Sequence, residues 1–433
     1  MIKGYLELLR LPGASAAAVP AALARLAGTM VPLALLLTLV QSGHSLALGG
    51  TAGAAYALGS AVGGPAIGRV MDRIGPSAVL RITAPAAGLA LVAVAFGADA
   101  APTAAVPAAA CAAGLATAPV GASMRALWPA LTEDAALRQR AYSFEATLSE
   151  LLFIIGPSAV TVLATLIGSR GALLATAVLL GTGGLGYGQA AAVRRRRPRP
   201  RPGDAPVNGP KDRSGPGRVA ASAVLVAIAL TAALSSALVV AVTASLRDQG
   251  SAPELAGTLV ALQSAGSVVG GLLYGARTFG GTAYPRYVRL LVVLTVALAA
   301  LPAVPLAHHA GLSASWTLVL LGVLLVVSGL PIAPAGAEEF QLIGEMTAQD
   351  KATQAFAGVG SFIAVGTAAG SAAAGLAADR LGPTAALCLP AAFTLAALLV
   401  SLAARGPVVR AVTATRRMEH LAHSAPTQGE PHA

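Results

Sequence analysis

Residues 59–68 read GSAVGGPAIG, and 207 residues further along the chain residues 266–275 read GSVVGGLLYG. Six of the ten positions agree, and four of those are glycines, so chance similarity in an apolar background is a poor account. A second echo, at an offset of 215 residues, pairs Pro119 with Pro334, Gly121 with Gly336, Thr132 with Thr347 and Gln139 with Gln354. Both echoes run in the same order, and duplication of one unit explains them economically. Gly59, Gly63, Gly64 and Gly68, with their counterparts Gly266, Gly270, Gly271 and Gly275, form overlapping ladders of small residues. Such ladders let helices approach closely where lipid offers no hydrophobic drive for association. Close packing is their commoner use, and a face that slides is the sharper one.

The sequence around these ladders is that of a membrane protein. Of 433 residues 56% are hydrophobic and 11% charged, and the mean hydropathy is +0.74, far from the balance of a soluble domain. Uncharged runs of about 20 residues recur, each long enough to cross the hydrocarbon layer as a helix. They are apolar on every side, which excludes the alternating strands of a barrel. Reading between charged or Pro/Gly-rich breaks gives spans near 20–41, 48–68, 79–98, 104–126, 142–165 and 171–191, then near 219–243, 254–275, 287–306, 314–335, 354–376 and 384–404. Between the two sets lies RRRRPRPRPGDAPVNGPKDRSGPGR, residues 194–218, too charged and too rich in Pro and Gly to fold or enter lipid. The expected fold is therefore an all-α integral membrane protein of twelve transmembrane helices in two pseudo-symmetric six-helix bundles. Its expected divisions are a first bundle over 1–193, a linker over 194–218, a second bundle over 219–404 and a disordered tail over 405–433.

The formal charge of +11 would suit a nucleic-acid binder, but the basic residues lie between apolar runs and form no binding face. With the amino terminus inside, the twelve spans place 26 Lys and Arg on the cytoplasmic side and leave Arg170, Arg247 and Arg380 outside. That asymmetry supports both the span count and a multi-pass cell-membrane protein with cytoplasmic termini. The Arg run at 194–201 is first a topology signal and second a contact for anionic lipid. Cys111 and Cys388 fall inside spans as small apolar fillers. His44, His308 and His309 lack the spacing of a metal site, and the amino-terminal residues show no cleavable signal. No cofactor motif, P-loop or nucleophile with a base is present, so neither cofactor nor enzyme is expected.

With helices 2 and 3 placed, GRVMDRIGP (68–76) becomes the short cytoplasmic turn between them. The pattern Gly68-x-x-x-Asp72-Arg73-x-Gly75 resembles the signature of the major facilitator superfamily of twelve-helix secondary transporters. The likeness extends to span count, duplication, central linker and internal termini, whereas Pro76 and Ser77 stand where a basic pair often follows. The turn after helix 8, ARTFGGTAYPR, has lost the acidic residue, which predicts a lopsided gate. The resemblance implies that Asp72 sits against the positive amino end of a neighbouring helix and Arg73 against a facing carboxylate or carbonyl, only when the halves close on the cytoplasmic side. Helix 5 carries FIIGPSAV, similar to a truncated motif of the drug and metabolite antiporter branch, and Gly156-Pro157 within it would act as a hinge.

Charges inside spans are costly and so point to function. Glu145 and Glu150, five residues apart near the start of helix 5, face different ways. Glu150 is the deeper and the better proton carrier; Arg125, Arg138 or Arg140 would otherwise pair with one of the two structurally. Arg25 snorkels and is given no chemistry. The second half looks almost free of such groups, EEFQLIGE (338–345) reading as a solvated loop. Gln41, Ser235, Ser236 and Gln263 are candidates to line a cavity, although Ser and Thr often bond their own helix. The expectation is a monomeric secondary transporter, exporting small organic molecules in exchange for protons across the bilayer. The alternatives are an uptake permease or a transport-inactive sensor or assembly partner of the same fold.

Overall fold

The computed structural model describes residues 2–97, 105–132, 134–195, 215–251, 255–277 and 279–424. The first half holds α1 (Ile2–Arg10), α2 (Ala14–Gln41), α3 (Leu46–Ile74), α4 (Pro76–Gly97), α5 (Ala105–Ala116), α6 (Val120–Leu131), α7 (Ala135–Gln189) and α8 (Ala191–Arg195). The second holds α9 (Gly215–Asp248), α10 (Leu255–Gly275), α11 (Ala283–Ala299), α12 (Ala303–His309), α13 (Ala314–Gly329), α14 (Ile332–Met346), α15 (Ala352–Leu381), α16 (Pro383–Ala403) and α17 (Arg405–Ser424). No strand occurs among the described residues.

Among the described residues, ten helical stretches are long and apolar enough to cross a membrane, with α5–α6, α11–α12 and α13–α14 each forming one broken crossing. The 55-residue α7 accounts for two crossings, because its backbone leaves the helix at Gly168 (φ 76, ψ 162). Its two arms lie along the same neighbour: Thr38 of α2 donates to the Ser169 carbonyl at 3.0 Å, Gly156 packs on Thr29, and Gly183 on Ala24. Only glycine enters that backbone region cheaply, so one residue turns the chain. The glycine-rich α3 supplies the twelfth span.

The duplication reappears in the contact register. A side chain at Gly59 or Gly63 would strike the carbonyls of Cys111 and Leu115; one at Gly266 or Gly270 would strike those of Val326 and Leu330. Each second-half partner is the first-half partner displaced by the same offsets that the sequence shows. The reciprocal contact recurs too, with Gly114 on Tyr56 and Ser60 and Gly329 on Gln263 and Ser267. Backbone-to-backbone approach of this kind is how small-residue ladders hold membrane helices together. Large apolar side chains such as Ile82, Leu89 and Val296 remain exposed on the outside, where lipid covers them.

Three expectations are corrected. The stretch 68–76 is hardly a loop: α3 runs to Ile74, Gly75 (φ 93) caps it, and α4 starts at Pro76. The stretch 338–345 is no solvated loop but lies in α14, where Glu338 and Glu339 are buried. The tail is helical to Ser424, because Val408 and Val412 form an apolar pair one turn apart that is buried on the second-half core. Most of the expected linker, 196–214, lies outside the described residues.

Candidate functional site

The two halves meet along a seam, and their contacts gather at the end that carries Asp72. One apolar cluster crosses it, joining Ala122, Ala126, Tyr142 and Ala146 of the first half to Phe340 and Phe356 of the second. The Arg125 guanidinium lies over the Phe340 ring, 4.0 Å from its centroid. Tyr142 and Phe340 both pack against Phe356, with centroids 6.1 and 6.5 Å away. Aromatic residues are only 4% of the chain, yet the fold collects three of them at this closure.

Asp72 provides the polar part. Its Oδ1 accepts the Thr353 N–H at 3.2 Å and its Oδ2 the Gln354 N–H at 2.8 Å. These amides belong to the first turn of α15, which has no intrahelical acceptors for them, so a carboxylate there satisfies the donors and the helix dipole together. Gly68 makes the approach possible: a side chain on it would lie 3.1 Å from the Thr353 carbonyl and 3.2 Å from the Gln354 Cα. One helical turn separates Gly68 from Asp72, so both face α15. Deeper in the seam, the Ser361 hydroxyl donates to the Ala61 carbonyl. Arg69 and Arg73 are exposed and form no ion pair among the described residues. The expected facing carboxylate for Arg73 is therefore not found.

The repeat-related contact between α10 and α7 is built differently. Phe279 stands at the counterpart of Asp72, and its N–H donates to the Gln139 Oε1 at 3.1 Å. The Ser143 hydroxyl donates to the Gly271 carbonyl at 3.1 Å, and Gly271 lies against Thr147 and Ala333. An amide donor has replaced the carboxylate acceptor.

The two helix-5 carboxylates separate as their spacing requires. Glu145 points into the first half, where Arg25 Nη1 donates to its Oε2 at 2.9 Å and Trp128 Nε1 to its Oε1 at 3.1 Å. Arg125 Nε stands 3.8 Å from the same carboxylate, and Arg25 also reaches the Ser149 hydroxyl at 2.7 Å. Arg25 is thus no free snorkelling charge but the main partner of Glu145, and Arg140 pairs with Glu7 instead, at 3.3 Å. Glu150 lies on the same side of α7 as Ala146 and Thr147, which touch Gly336 and Gly271 of the second half. It is half-buried and forms no hydrogen bond or ion pair among the described residues.

The second half carries ionisable groups that sequence reasoning missed. Arg286 Nε donates to the Glu338 Oε1 at 2.9 Å, with side chains 5% and 0% exposed, and the Tyr274 hydroxyl donates to the same oxygen. Glu339 accepts from the Thr231 hydroxyl at 3.1 Å and from the Tyr287 hydroxyl at 3.0 Å. A signal was available: the 215-residue offset maps Glu338 onto Ser123, inside the fourth span.

The proposed cavity residues mostly brace helices. Gln41 accepts from the Ser169 hydroxyl at 2.5 Å and steadies the Gly168 turn. Gln263 is buried and donates to Ser328 at 3.3 Å, and Ser236 donates to the Thr367 carbonyl at 2.8 Å, tying α9 to α15. Ser235 is exposed. Across Gly156 and Pro157 the backbone stays helical, so the break in this hairpin is Gly168.

Comparison with known proteins agrees with this geometry. Residues 18–227 match the Major Facilitator Superfamily. No curated protein matches the sequence significantly. Among solved structures, a bacterial homologue of the iron transporter ferroportin in an outward-facing state aligns with 90% of this chain and 99% of its own, at a TM-score of 0.71 and 14% identity. The human organic anion transporter MFSD10 (TETRAN) aligns over 89% and 98%, at a TM-score of 0.65 and 14% identity. The proton:xylose symporter XylE aligns over 89% and 94%, at a TM-score of 0.63 and 13% identity. Matched by that superfamily through its first half and folded like those transporters along nearly its whole length, this chain is a membrane protein of the major facilitator fold.

Proposed function

We propose that the protein is a proton-coupled secondary transporter that exports small organic molecules by alternating access. The observation that carries this reading is the Asp72 contact. It joins the first half to the amino end of α15 through two hydrogen bonds that must break if the halves part at this end. The distribution of basic residues supports a cytoplasmic position for that end; on this reading the arrangement is a cytoplasm-closed, outward-facing state, and rocking of one half against the other opens it inward. Arg73 and Gly75 complete the gate motif, the first by its cytoplasmic charge and the second by turning the chain into α4.

Glu150 is proposed as the proton carrier. It is a carboxyl without a cation partner, on the seam side of α7, where alternating exposure would let it take a proton on one side and release it on the other. Glu145 is held by Arg25, which suits a structural role better than coupling. Export rests on the helix-5 likeness to antiporters. The neighbours in fold are a homologue of an iron transporter, an organic anion transporter and a proton:xylose symporter, so cargo is a property of cavity side chains and not of the fold.

The test is reconstitution of Glu150→Gln in proteoliposomes with an imposed pH gradient, for a solute found by a thermal-shift screen. The variant should equilibrate solute down its gradient and fail to concentrate it. Proton-driven accumulation at the parent level would remove Glu150 from coupling, and absence of flux in the parent for every solute that binds would favour a transport-inactive relative.

A further inference from the structure

The second copy of the gate lacks its carboxylate, and something else occupies the space. Gly275 is the repeat counterpart of Gly68. Gly68 rests against the amino end of α15, whereas the atoms nearest a side chain added at Gly275 all belong to Tyr5. Tyr5 lies on α1, ahead of the first span, with its ring buried and tilted against Phe144 at 5.6 Å between centroids. Its hydroxyl donates to the Gly271 carbonyl of α10 at 2.8 Å and lies 3.1 Å from the Ser143 Oγ of α7. Burial raises the phenol above its ordinary value, so it stays a donor at physiological pH.

The rest of α1 belongs to the first half. Leu8 is fully buried in a cluster with Ala17, Ala21, Trp128 and Tyr187, and Glu7 pairs with Arg140 of α7 at 3.3 Å. The helix is therefore anchored on one half, and Tyr5 reaches over the seam to the other.

We propose that α1 is a built-in wedge of the cytoplasmic gate, in which Tyr5 takes over in the second repeat the closing role that Asp72 has in the first. The inference rests on alternating access as proposed above. In the closed state Tyr5 fills the hollow over Gly275 and binds the Gly271 carbonyl. Opening at this end withdraws Gly271 and Gly275 from Tyr5 and costs that bond and that packing. The gate is then asymmetric by construction: one latch is a charge on a helix end, the other a phenol from an added helix.

The experiment uses the full chain, with Cys111 and Cys388 changed to Ala and a reporter cysteine at Ala146, which is buried at the seam. Its alkylation rate by N-ethylmaleimide in proteoliposomes follows the population open at this end. Tyr5→Phe keeps the ring and removes only the hydroxyl, and should raise the rate about fivefold, the weight of one typical buried hydrogen bond. Gly275→Ala should raise it as well, by crowding Tyr5, and should add nothing in a Tyr5→Ala chain, because the three atoms nearest the added methyl are then gone. Thermal melting of each variant at the parent temperature confirms that the bundle is intact. A Tyr5→Phe rate equal to the parent, or a Gly275→Ala effect that persists without Tyr5, overturns the wedge. Asp72→Asn separates the two levels: fast alkylation there with a parental Tyr5→Phe rate removes the wedge and leaves the gate, while parental rates in both remove the gate and the wedge with it.

Discussion

Asp72→Asn is the perturbation for which the structure allows a magnitude. The carboxylate accepts two backbone amides, at 3.2 and 2.8 Å, from the turn of α15 that has no internal acceptors. Asparagine is close in shape, but it offers one carbonyl oxygen and one NH2 group. One amide keeps an acceptor, and the other faces a donor. A hydrogen bond to a charged group contributes about 1.5–3 kcal/mol and the helix-dipole attraction about 0.3–1 kcal/mol. Asp72 is only partly buried, so the lower part of these ranges applies, and about 2 kcal/mol of closed-state preference should be lost. At 1.36 kcal/mol per decade this is about a 30-fold shift toward the state open at the Asp72 end. The assay is alkylation of the cysteine at Ala146, read beside expression and melting temperature. Folding should be nearly unchanged, because the contact joins two bundles that each keep their own core. An accessibility within about twofold of the parent would mean that the α15 amides find water or another acceptor at little cost, and the latch argument would fail.

Two further outcomes follow from the packing. Gly270→Ala places a methyl group on the Leu330 carbonyl and should lower stability by about 1–3 kcal/mol through overpacking, seen as a lower melting temperature; Gly257→Ala, with open space around it, should leave it unchanged. Arg25→Gln removes the nearest cation from Glu145, which is 1% exposed and keeps only the Trp128 N–H and the more distant Arg125, and should cost about 1.5–3 kcal/mol. Adding Glu145→Gln should recover part of that loss in thermal melts; a double variant no more stable than Arg25→Gln would show that the ion pair is not the source of the effect.

Span count, duplication and charge asymmetry are legible in the sequence because they are one-dimensional properties. A helix must carry about 20 apolar residues to cross lipid whatever its neighbours are, and the two offsets of 207 and 215 residues survive folding unchanged, so they reappear in the glycine contacts of both halves. Gly68 and Asp72 were marked only by their likeness to a family signature; that they lie one turn apart on one helix and face the same neighbour emerged from the fold, which carries α3 to Ile74. Glu338 and Glu339 were misread because adjacent carboxylates resemble a solvated stretch until Arg286, Tyr274, Tyr287 and Thr231 come in from other helices to receive them. The assignment of Glu145 to Arg25, 120 residues away, and of Tyr5 to Gly271, 266 residues away, likewise depended on which faces meet. The energy of a buried charge or hydroxyl is set by the groups around it, and those neighbours exist only once the helices have packed.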